Sequence, residues 1–332
     1  MTHSSCRTFD VSNVKTQLSL SVALASYNGE RYIGEQLDSI ARQTRLPDEL
    51  IISDDASSDA TTGIALDFAR RAPFPVRILQ NSARAGSTRN FEIAIRACKG
   101  DIIFLCDQDD VWYPNKISLV EERFINNPDA GAVFTDADVV DENLHPLGRR
   151  LWQIYKFGPD KQARFVANDA LGVLLKQPVV TGATMAFRSS YRNLVLPIPQ
   201  TWHDAWIALL IGATSRLEAL PAQLIAYRQH GDNQLGIPRA GRNRGKSCAA
   251  IYGPRVLLYE AIRKRLEEFE ERVRVSEQTI HRLDEKLAFL RASAALPQPR
   301  WRRLPVALHE LMALRYHSYA HGLTTFCKDL LR

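Results

Sequence analysis

Segments with the composition of buried β-strands alternate with amphipathic, helix-like segments through the first part of this 332-residue chain. The first strand-like segment, Leu18 to Ser26, is aliphatic and β-branched, and Ile33, Leu37 and Ile40 follow it at helical spacing. The alternation continues through the strand-like segments ELIISDD, VRILQN, DIIFLCDQDD and AVFTDADVVD. Strands and helices that alternate in this way form βαβ units. We therefore expect an α/β fold with a Rossmann-like mixed, mainly parallel sheet and helices on both faces.

Polar residues follow several of these strand-like segments directly. The tripeptide Ser26-Tyr27-Asn28 follows the first, Asp54-Asp55 the second, Asn81 the third, and Asp107 to Asp110 the fourth. In an open α/β sheet the carboxyl ends of parallel strands share one edge, and ligands bind outside that edge. The sequence thus predicts that four distant segments meet at one ligand-binding cleft.

The residues Asp107-Gln108-Asp109-Asp110 carry the most specific chemical signal in the sequence. Three carboxylates this close repel one another unless a cation or tight hydrogen bonding compensates. Because they directly follow an apolar strand, a hard divalent cation is favoured over a solvated acidic turn. Mg²⁺ is commonly held by one or two carboxylates together with waters and substrate phosphates. We therefore expect Mg²⁺ or Mn²⁺ here, bound together with a diphosphate.

The overall composition is that of an ordinary folded protein, with 45% hydrophobic and 24% charged residues. It excludes a disordered or collagen-like chain. The five cysteines are scattered and form no CxxC pair, which suits a reducing compartment rather than a disulfide scaffold. No apolar run reaches the roughly 18 residues that span a bilayer, and the N-terminus lacks a signal-peptide pattern. We therefore expect a cytoplasmic protein.

The positive charge of the chain is concentrated in its last third. The net charge is +6, but the segment from Arg239 onward carries +9 and the part before it carries −3. Such an excess indicates an anionic partner. No motif supports nucleic-acid binding, and Trp301, Arg302 and Arg303 lie in a basic amphipathic tail. We therefore expect this tail to dock on the anionic inner face of the plasma membrane.

The C-terminal region is predicted to be helical. Residues 239–254, rich in Arg and Gly, are expected to form a basic linker before a helical region at 255–332. Apolar residues recur there at alternating spacings of three and four, a heptad pattern that predicts one long helix. Packing of this helix within its own chain is favoured, and a homodimer through the 259–290 helix is the alternative. The apolar stripe consists of Tyr259, Ile262, Leu266, Phe269, Val273, Ser276, Ile280, Leu283, Leu287 and Leu290.

Seven motifs occur in a fixed order along the chain: ASYNGERYIGEQLDSI, ISDDASSD, the Asn81-Gly86-Asn90 pattern, FLCDQDDVWYPNKI, TGATMAFR, WHDAW and YRQHGDN. On these motifs the chain resembles the family 2 inverting glycosyltransferases, and is most similar to the rhamnosyltransferase-like branch that builds bacterial surface polysaccharides such as O-antigen. The resemblance implies a GT-A fold over residues 18–238, after a flexible N-terminus at 1–17. It also implies a dTDP- or UDP-linked sugar donor, with rhamnose among the candidates, and a saccharide or lipid-linked acceptor.

The resemblance also assigns residues to the donor site. It implies that Tyr27 and Glu30 line the nucleotide pocket and that Asp54 accepts a hydrogen bond from the pyrimidine ring. Asp109 is expected to contact the metal directly, and Asp107 to contact the ribose and the water shell of the metal. The matched nucleotide-sugar residues are Ser26, Tyr27, Asn28, Glu30, Asp54, Asn81, Gly86, Asn90, Asp107 and Gln108, and the matched metal residues are Asp109, Asp107 and His230.

On the acceptor side, the resemblance implies that Asp204 in WHDAW is the catalytic base. Gly182, Ala183, Trp202 and His203 match the positions next to the acceptor. The alternative for Asp204 is a helix N-cap without a catalytic role. Many members of the family carry Glu before this Asp, where the present chain has His203.

Two other functions stay open at this point. The pattern Asp107-Gln108-Asp109-Asp110-Val111 also fits the nucleophile motif of haloacid-dehalogenase-type phosphohydrolases, in which that motif normally ends the first strand. The second alternative is a non-catalytic nucleotide-binding scaffold that uses the heptad helix and the basic tail.

Overall fold

The strands form one mixed sheet in the computed structural model, which describes residues 17–231 and 245–332. Within these residues the strand order is β3-β2-β1-β4-β8-β6-β9-β5, with β7 paired to β6. The strands are β1 (Leu20–Ser26), β2 (Glu49–Asp54), β3 (Val76–Gln80), β4 (Ile102–Asp107), β5 (Val111–Trp112), β6 (Ala130–Val140), β7 (Pro146–Arg150), β8 (Met185–Arg188) and β9 (Arg216–Arg228).

The first four strands of the sheet order are parallel, so their carboxyl ends share one edge. Ser26 pairs with Asp54, Asp54 with Gln80, and Ala25 with Asp107. Strand β8 runs antiparallel to both β4 and β6, whereas β6 and β9 are parallel. The predicted mixed α/β sheet is confirmed, with its parallel part at the strands that carry the polar motifs.

Helices cover both faces of the sheet, as predicted. On one face, α1, α2 and α4 bury Leu37, Phe68 and Phe124; on the other, α3 and α9 bury Phe91 and Trp206. The helices of this part are α1 (Ile33–Ala41), α2 (Thr61–Arg71), α3 (Ser87–Ala97), α4 (Lys116–Asn126), α5 (Leu151–Ile154), α6 (Pro159–Val166), α7 (Ala170–Lys176), α8 (Arg192–Val195) and α9 (His203–Thr214). Because α9 is apolar on nearly every side, it is sandwiched between the sheet and further helices.

The C-terminal region corrects two predictions. Its helices are α10 (Cys248–Glu268), α11 (Glu277–Ala294), α12 (Leu304–Met312), α13 (Arg315–Tyr319) and α14 (Leu323–Leu331). Helix α10 begins at Cys248, where Ser247 accepts a hydrogen bond from the Ala250 amide, so the end of the predicted 239–254 linker is helical. The rest of that linker up to residue 244, and residues 1–16 of the predicted flexible N-terminus, lie outside the described residues.

The single long helix predicted from the heptad stripe is wrong. The chain turns between Glu268 and Glu277, and α10 and α11 form a hairpin in which Arg263 pairs with Asp284 at 2.8 Å. A new N-cap at Ser276, which accepts from the Thr279 amide, starts the second helix. Heptad spacing is the same for a helix that pairs with a second chain and for two helices that pair with each other.

Most of the stripe is buried within its own chain, whereas Ser276 is exposed. Leu266, Leu283 and Leu290 belong to the same apolar cluster as Trp206 of α9, so the hairpin shares a core with the sheet. This packing uses the apolar surface that a homodimer through 259–290 would have needed. Across residues 17–231 and 245–332, no helix is both long enough and apolar enough to cross a bilayer.

Candidate active site at the carboxyl ends of the strands

The loop after β1 is fastened to the acidic motif by Gln108. Its side-chain oxygen accepts a hydrogen bond from the Tyr27 amide at 2.8 Å, and its side-chain nitrogen donates to the Tyr27 carbonyl at 2.9 Å. A Cβ atom at Gly29 would lie 2.2 Å from the Gln108 oxygen, so this close approach requires glycine. The oxygen and the nitrogen of the Gln108 side chain both form hydrogen bonds with main-chain groups. Gln108 therefore positions the Tyr27 loop in the predicted nucleotide site.

Asp54 and Ser26 are buried beneath this loop. The Asp54 carboxylate accepts hydrogen bonds from the Ser26 hydroxyl at 2.9 Å and from the Ser57 amide and hydroxyl at 2.9 and 2.6 Å. A buried carboxylate whose oxygens all accept hydrogen bonds holds the groups that donate to it in place. For Asp54 to accept a hydrogen bond from a pyrimidine ring, as predicted, one of these hydrogen bonds would have to be replaced.

Asn28 and Glu30 shape the same loop from outside. Asn28 has a positive φ of 44° and accepts from the Ser58 amide at 2.9 Å. Glu30 accepts from the Ala60 amide at 2.9 Å, so its carboxylate lies at the start of α2, beside the loop that follows Asp54. Sequence spacing alone does not tell which way such a side chain turns.

Asp55, which the sequence analysis placed at the cleft without assigning it a role, organises the loop after β3. Its two oxygens accept from the Ala85 amide at 2.7 Å, the Gly86 amide at 2.8 Å and the Asn81 side chain at 3.0 Å. Gly86 has a φ of 88°, a conformation that favours glycine. Asn90 is buried and donates to main-chain carbonyls of β1 and β2. These residues form one polar network at the sheet edge.

Arg84 is a second residue that the sequence analysis missed. Its guanidinium lies 4.1 Å from the centre of the Tyr27 ring, within the range of a cation–π contact. The loop after β3 therefore reaches the loop after β1. In the sequence, Arg84 is only a single cation between Asn81 and Gly86, and such a residue does not by itself indicate a binding site.

The acidic motif holds carboxylates whose ionisation is disfavoured. Burial, followed by the charges of Asp109 and Asp204, raises the pKa of Asp107 to about 7. Burial and the charge of Asp109 likewise raise the pKa of Asp110 well above its usual value. Within the described residues the Oδ2 atom of Asp110 has no hydrogen-bond donor. The surrounding side chains therefore supply too little positive charge and too few hydrogen-bond donors to balance the negative charge at this edge.

Lys116 is the buried cation next to the acidic motif, and the sequence analysis did not single it out. Its ammonium donates to the Ala183 carbonyl at 2.9 Å and lies 4.4 Å from the centre of the Trp112 ring. Burial lowers the pKa of Lys116 to about 7. Lys116 links the donor side of the edge to the turn at Gly182 and Ala183 that was predicted to face the acceptor.

His230 meets Asp109, as the predicted metal set requires. The His230 Nε2 and Asp109 Oδ2 atoms are 2.8 Å apart, and the imidazole lies 4.6 Å from the ring of Tyr32. The nearly inaccessible Arg228 donates to the Asp109 carbonyl at 2.7 Å and, through its amide, to Asp110 at 2.9 Å. The end of β9 is thereby anchored to the acidic motif.

The acceptor-side residues surround the start of α9. A Cβ atom at Gly182 would lie 2.7 Å from the His203 Nε2 atom and 3.6 Å from the Asp204 Cβ atom. The His203 ring stacks on Phe91 at 4.2 Å, and burial lowers its pKa, which favours the neutral imidazole. Asp204 accepts from the Ala205 amide at 2.7 Å, while the N-cap position is Trp202, which makes no side-chain cap. Asp204 is therefore in the first turn of α9 and is not its N-cap.

The donor set fits a divalent cation that is held jointly with a substrate. Among the described residues, no three His, Cys, Asp or Glu side chains are already arranged as a metal site. Asp107 and Asp109 supply two carboxylates, and Mg²⁺ is commonly held by that number together with substrate phosphates. The like-charge repulsion that raises the pKa of Asp107 is what a bound cation would relieve.

The family of the chain follows from a sequence comparison. The model of glycosyl transferase family 2 matches residues 21–188, about half of the chain. This match overturns the phosphohydrolase alternative, and the acidic motif indeed ends the fourth strand rather than the first.

Curated relatives cover part of the chain. An uncharacterized glycosyltransferase of Nostoc sp. strain PCC 7120 is 26% identical over 65% of this chain and 66% of its own length. The dTDP-rhamnosyl transferase RfbG of Shigella flexneri is 34% identical over 38% of this chain and 44% of its own length. The chain thus spans less than two thirds of the length of these relatives.

Solved structures share the fold. TarS of S. aureus in complex with UDP-GlcNAc matches with a TM-score of 0.55 and 18% identity, over 89% of this chain and 81% of that one. The mannosyltransferase PcManGT of Pyrobaculum calidifontis, in complex with GDP-Man and Mn²⁺, matches with a TM-score of 0.51 and 19% identity, over 98% and 88%. With its polar network, acidic motif and α9 carboxylate at one edge of a GT-A sheet, this chain belongs to glycosyl transferase family 2.

Proposed function

We propose that this protein is a metal-dependent, inverting glycosyltransferase of the cytoplasm. The donor is a dTDP- or UDP-linked sugar, and the acceptor is a hydroxyl of a saccharide or lipid-linked oligosaccharide. The observation that carries the proposal is the meeting of the acidic motif and Asp204 at one edge of the sheet. The Lys116 ammonium beside the motif donates to the Ala183 carbonyl, and a Cβ atom at Gly182 would lie 3.6 Å from the Asp204 Cβ atom. Burial, followed by the charges of Asp109 and Asp204, raises the pKa of Asp107. Perturbed carboxylates of this kind cluster at functional sites.

The donor side of the edge has the groups that a leaving diphosphate needs. Asp107 and Asp109 would hold Mg²⁺ or Mn²⁺, with His230 beside them, and the bound ion would stabilise the negative charge of the departing diphosphate. Gln108 fixes the Tyr27 loop relative to these carboxylates through its two hydrogen bonds. Tyr27 and Arg84 offer an aromatic ring and a cation for the nucleotide.

On the acceptor side, Asp204 is the general base. The acceptor oxygen attacks the anomeric carbon opposite the diphosphate, its proton passes to Asp204, and the bond between the anomeric carbon and the diphosphate oxygen breaks. One displacement inverts the anomeric centre and needs no covalent intermediate. Asp204 lies in the first turn of α9, next to the turn at Gly182.

Three residues align the two sides. Gly182 lacks a side chain where one would strike His203, and the Ala183 carbonyl is tied to Lys116 at 2.9 Å. The turn is therefore held between the acidic motif and the base, which is where donor and acceptor must be aligned.

Rhamnose is the first candidate for the transferred sugar, on the similarity to RfbG alone. A thermal-shift screen of dTDP-rhamnose, UDP-glucose and UDP-GlcNAc, each with and without Mn²⁺, identifies donor and metal requirement together. Stabilisation by one sugar nucleotide only when Mn²⁺ is present is the expected result. An equal rise in melting temperature with and without Mn²⁺ would contradict metal dependence.

The division of labour between donor and acceptor sides is tested by two variants. Asp109→Ala is expected to abolish metal-dependent donor binding, whereas Asp204→Ala keeps donor binding and loses transfer. Equal loss of donor affinity in both variants contradicts the proposed roles. Donor binding together with cellular glycan that Asp204→Asn leaves unchanged would favour the non-catalytic scaffold.

A further inference from the structure

Exposed large apolar side chains are concentrated near the end of the described chain. Elsewhere in the described residues they are scattered, as at Leu66, Leu147, Val166 and Leu257. Scattered examples are normal on protein surfaces, but a local concentration marks an interaction site. The concentrated set consists of Trp301, Leu304, Val306, Leu308, Met312, Leu314, Leu323 and Leu331.

Four of these side chains recur at helical spacing. Trp301, Leu304, Leu308 and Met312 are separated by three, four and four residues, across the 3₁₀ turn Arg300–Arg303 and α12. Residues at this spacing lie on one face of a helix. We call these four residues the C-terminal apolar face. Trp301 is 73% exposed and Met312 is 82% exposed.

Three charged side chains of these elements are buried, among them Arg303, which the sequence analysis expected in the membrane-docking tail. Arg303 and Glu310 are buried next to Ala307 on the opposite side of α12, and Asp329 of α14 is fully buried. Arg303 donates to the Asp329 carbonyl at 2.9 Å. The usual arrangement of a helix at a water-exposed surface is therefore reversed, with polar groups inside and apolar groups outside. An exposed apolar surface of this kind is stabilised when an apolar partner covers it.

Cations lie beside this face. The Arg302 guanidinium lies 4.8 Å from the centre of the Trp301 ring, and Arg300 is exposed next to it. The segment from Arg239 onward carries a net charge of +9. Apolar and aromatic side chains flanked by Arg are typical of segments that lie in the headgroup region of a bilayer. The charge selects anionic lipids over a neutral apolar partner.

We propose that the C-terminal apolar face inserts into the headgroup region of an anionic lipid bilayer, with Arg300 and Arg302 contacting lipid phosphates. The catalytic sheet then remains outside the membrane, as in a monotopic protein. The inference is independent of the reaction assigned above, because it rests on surface residues away from the acidic motif. A glycosyltransferase placed in this way has access to lipid-linked acceptors.

The test uses the full chain and vesicles of phosphatidylcholine with or without phosphatidylglycerol. Cosedimentation is expected with the anionic vesicles, with affinity about tenfold lower for neutral ones and reduced by added salt. The double variant Trp301→Ala/Met312→Ser is expected to lower binding to anionic vesicles at least about tenfold. The matched control is Val166→Ser on α6, whose side chain is 75% exposed and which should bind as the unchanged protein does.

Three results overturn the proposal. They are the absence of vesicle binding, equal binding to neutral and anionic vesicles, and an equal loss of binding in Val166→Ser. A dimer in sedimentation velocity that the double variant dissociates, without vesicle binding, assigns the face to a second copy instead. Circular dichroism of each variant confirms that the fold is kept, and a blue shift of Trp301 emission on binding provides a second readout.

Discussion

Two buried acidic sites in this protein are built in opposite ways. Asp329, in the last helix, accepts hydrogen bonds from the Tyr252 and Tyr316 hydroxyls at 2.8 and 3.1 Å and from Arg332 at 2.9 Å. In the acidic motif after β4, burial and the charges of neighbouring carboxylates raise the pKa of Asp107 and Asp110, and the opposing effect of Lys116 does not outweigh them. A satisfied carboxylate network holds a fold together, whereas an under-compensated one is a place for a ligand. The same residue type thus has a structural role in one region and a chemical role in the other.

The largest expected effect is on catalysis. Asp204→Asn is expected to lower the transfer rate about 1000-fold by removing the base, with no change in melting temperature. The counterpart Asp329→Asn should lower the melting temperature, while the folded fraction keeps its transfer rate. Initial rates and thermal unfolding of both variants measure the contrast. A stability loss in Asp204→Asn as large as in Asp329→Asn would contradict the separation of roles.

The next effect is on stability. Asp329→Ala is expected to lower the free energy of unfolding by about 3 kcal/mol, because two tyrosine hydroxyls and Arg332 lose a buried acceptor. Denaturant unfolding measures this change. The control is Asp67→Ala, whose carboxylate pairs with Arg70 but is 73% exposed, and which should change stability by less than about 1 kcal/mol. Equal effects would mean that the Asp329 network is not structural.

A smaller effect is expected where the two loops of the donor site meet. Gly29→Ala places a methyl group against Gln108 and shifts the Tyr27 loop, so we expect the donor KM to rise about tenfold. Gly63→Ala in α2 has open space around it and serves as the control. In a Gln108→Ala background the penalty of Gly29→Ala should shrink, because the obstructing amide is gone. An undiminished penalty would assign it to another contact.

The last effect is a change in the pH dependence of stability. Burial lowers the pKa of Lys286 to about 7, and its ammonium donates to the Tyr319 carbonyl. Because the unfolded chain binds this proton up to its ordinary pKa, stability should rise with pH between about 7 and 10 and level off below about 7, where both states bind it. Lys286→Met should flatten that rise by up to about 1.4 kcal/mol per pH unit. An unchanged slope of unfolding free energy against pH would contradict the assignment.

The sheet and its active edge were predictable because parallel strands bring their ends together whatever the loops between them do. Strand order therefore predicted that the acidic motif lies at this edge, and the family resemblance added Asp204 and His230. The pKa of Asp107 and the contact between His230 and Asp109 reflect that proximity. The direction of each side chain was less predictable. The Glu30 carboxylate, for example, accepts from the Ala60 amide at the start of α2, a contact that sequence spacing does not encode.

The misses share one physical cause. In the sequence, Lys116 looks like any cation on an amphipathic helix. Only the fold brings it next to the end of β4 and the Gly182 turn. The heptad stripe predicted helices correctly but not the turn at 269–276, since the same apolar spacing suits an intramolecular hairpin. In both cases the deciding contact is made by a segment far away in the chain.

The shared core of the hairpin and α9 has a practical consequence. Arg265 of α10 donates to the Leu196 carbonyl at 2.8 Å and lies 5.8 Å from the centre of the Trp206 ring, two residues beyond Asp204. Without the hairpin, the helix that carries the proposed base would lose one of its packing surfaces. The sheet with its candidate site is therefore not a detachable module, and any chimera that exchanges the tail has to rebuild the surface behind α9.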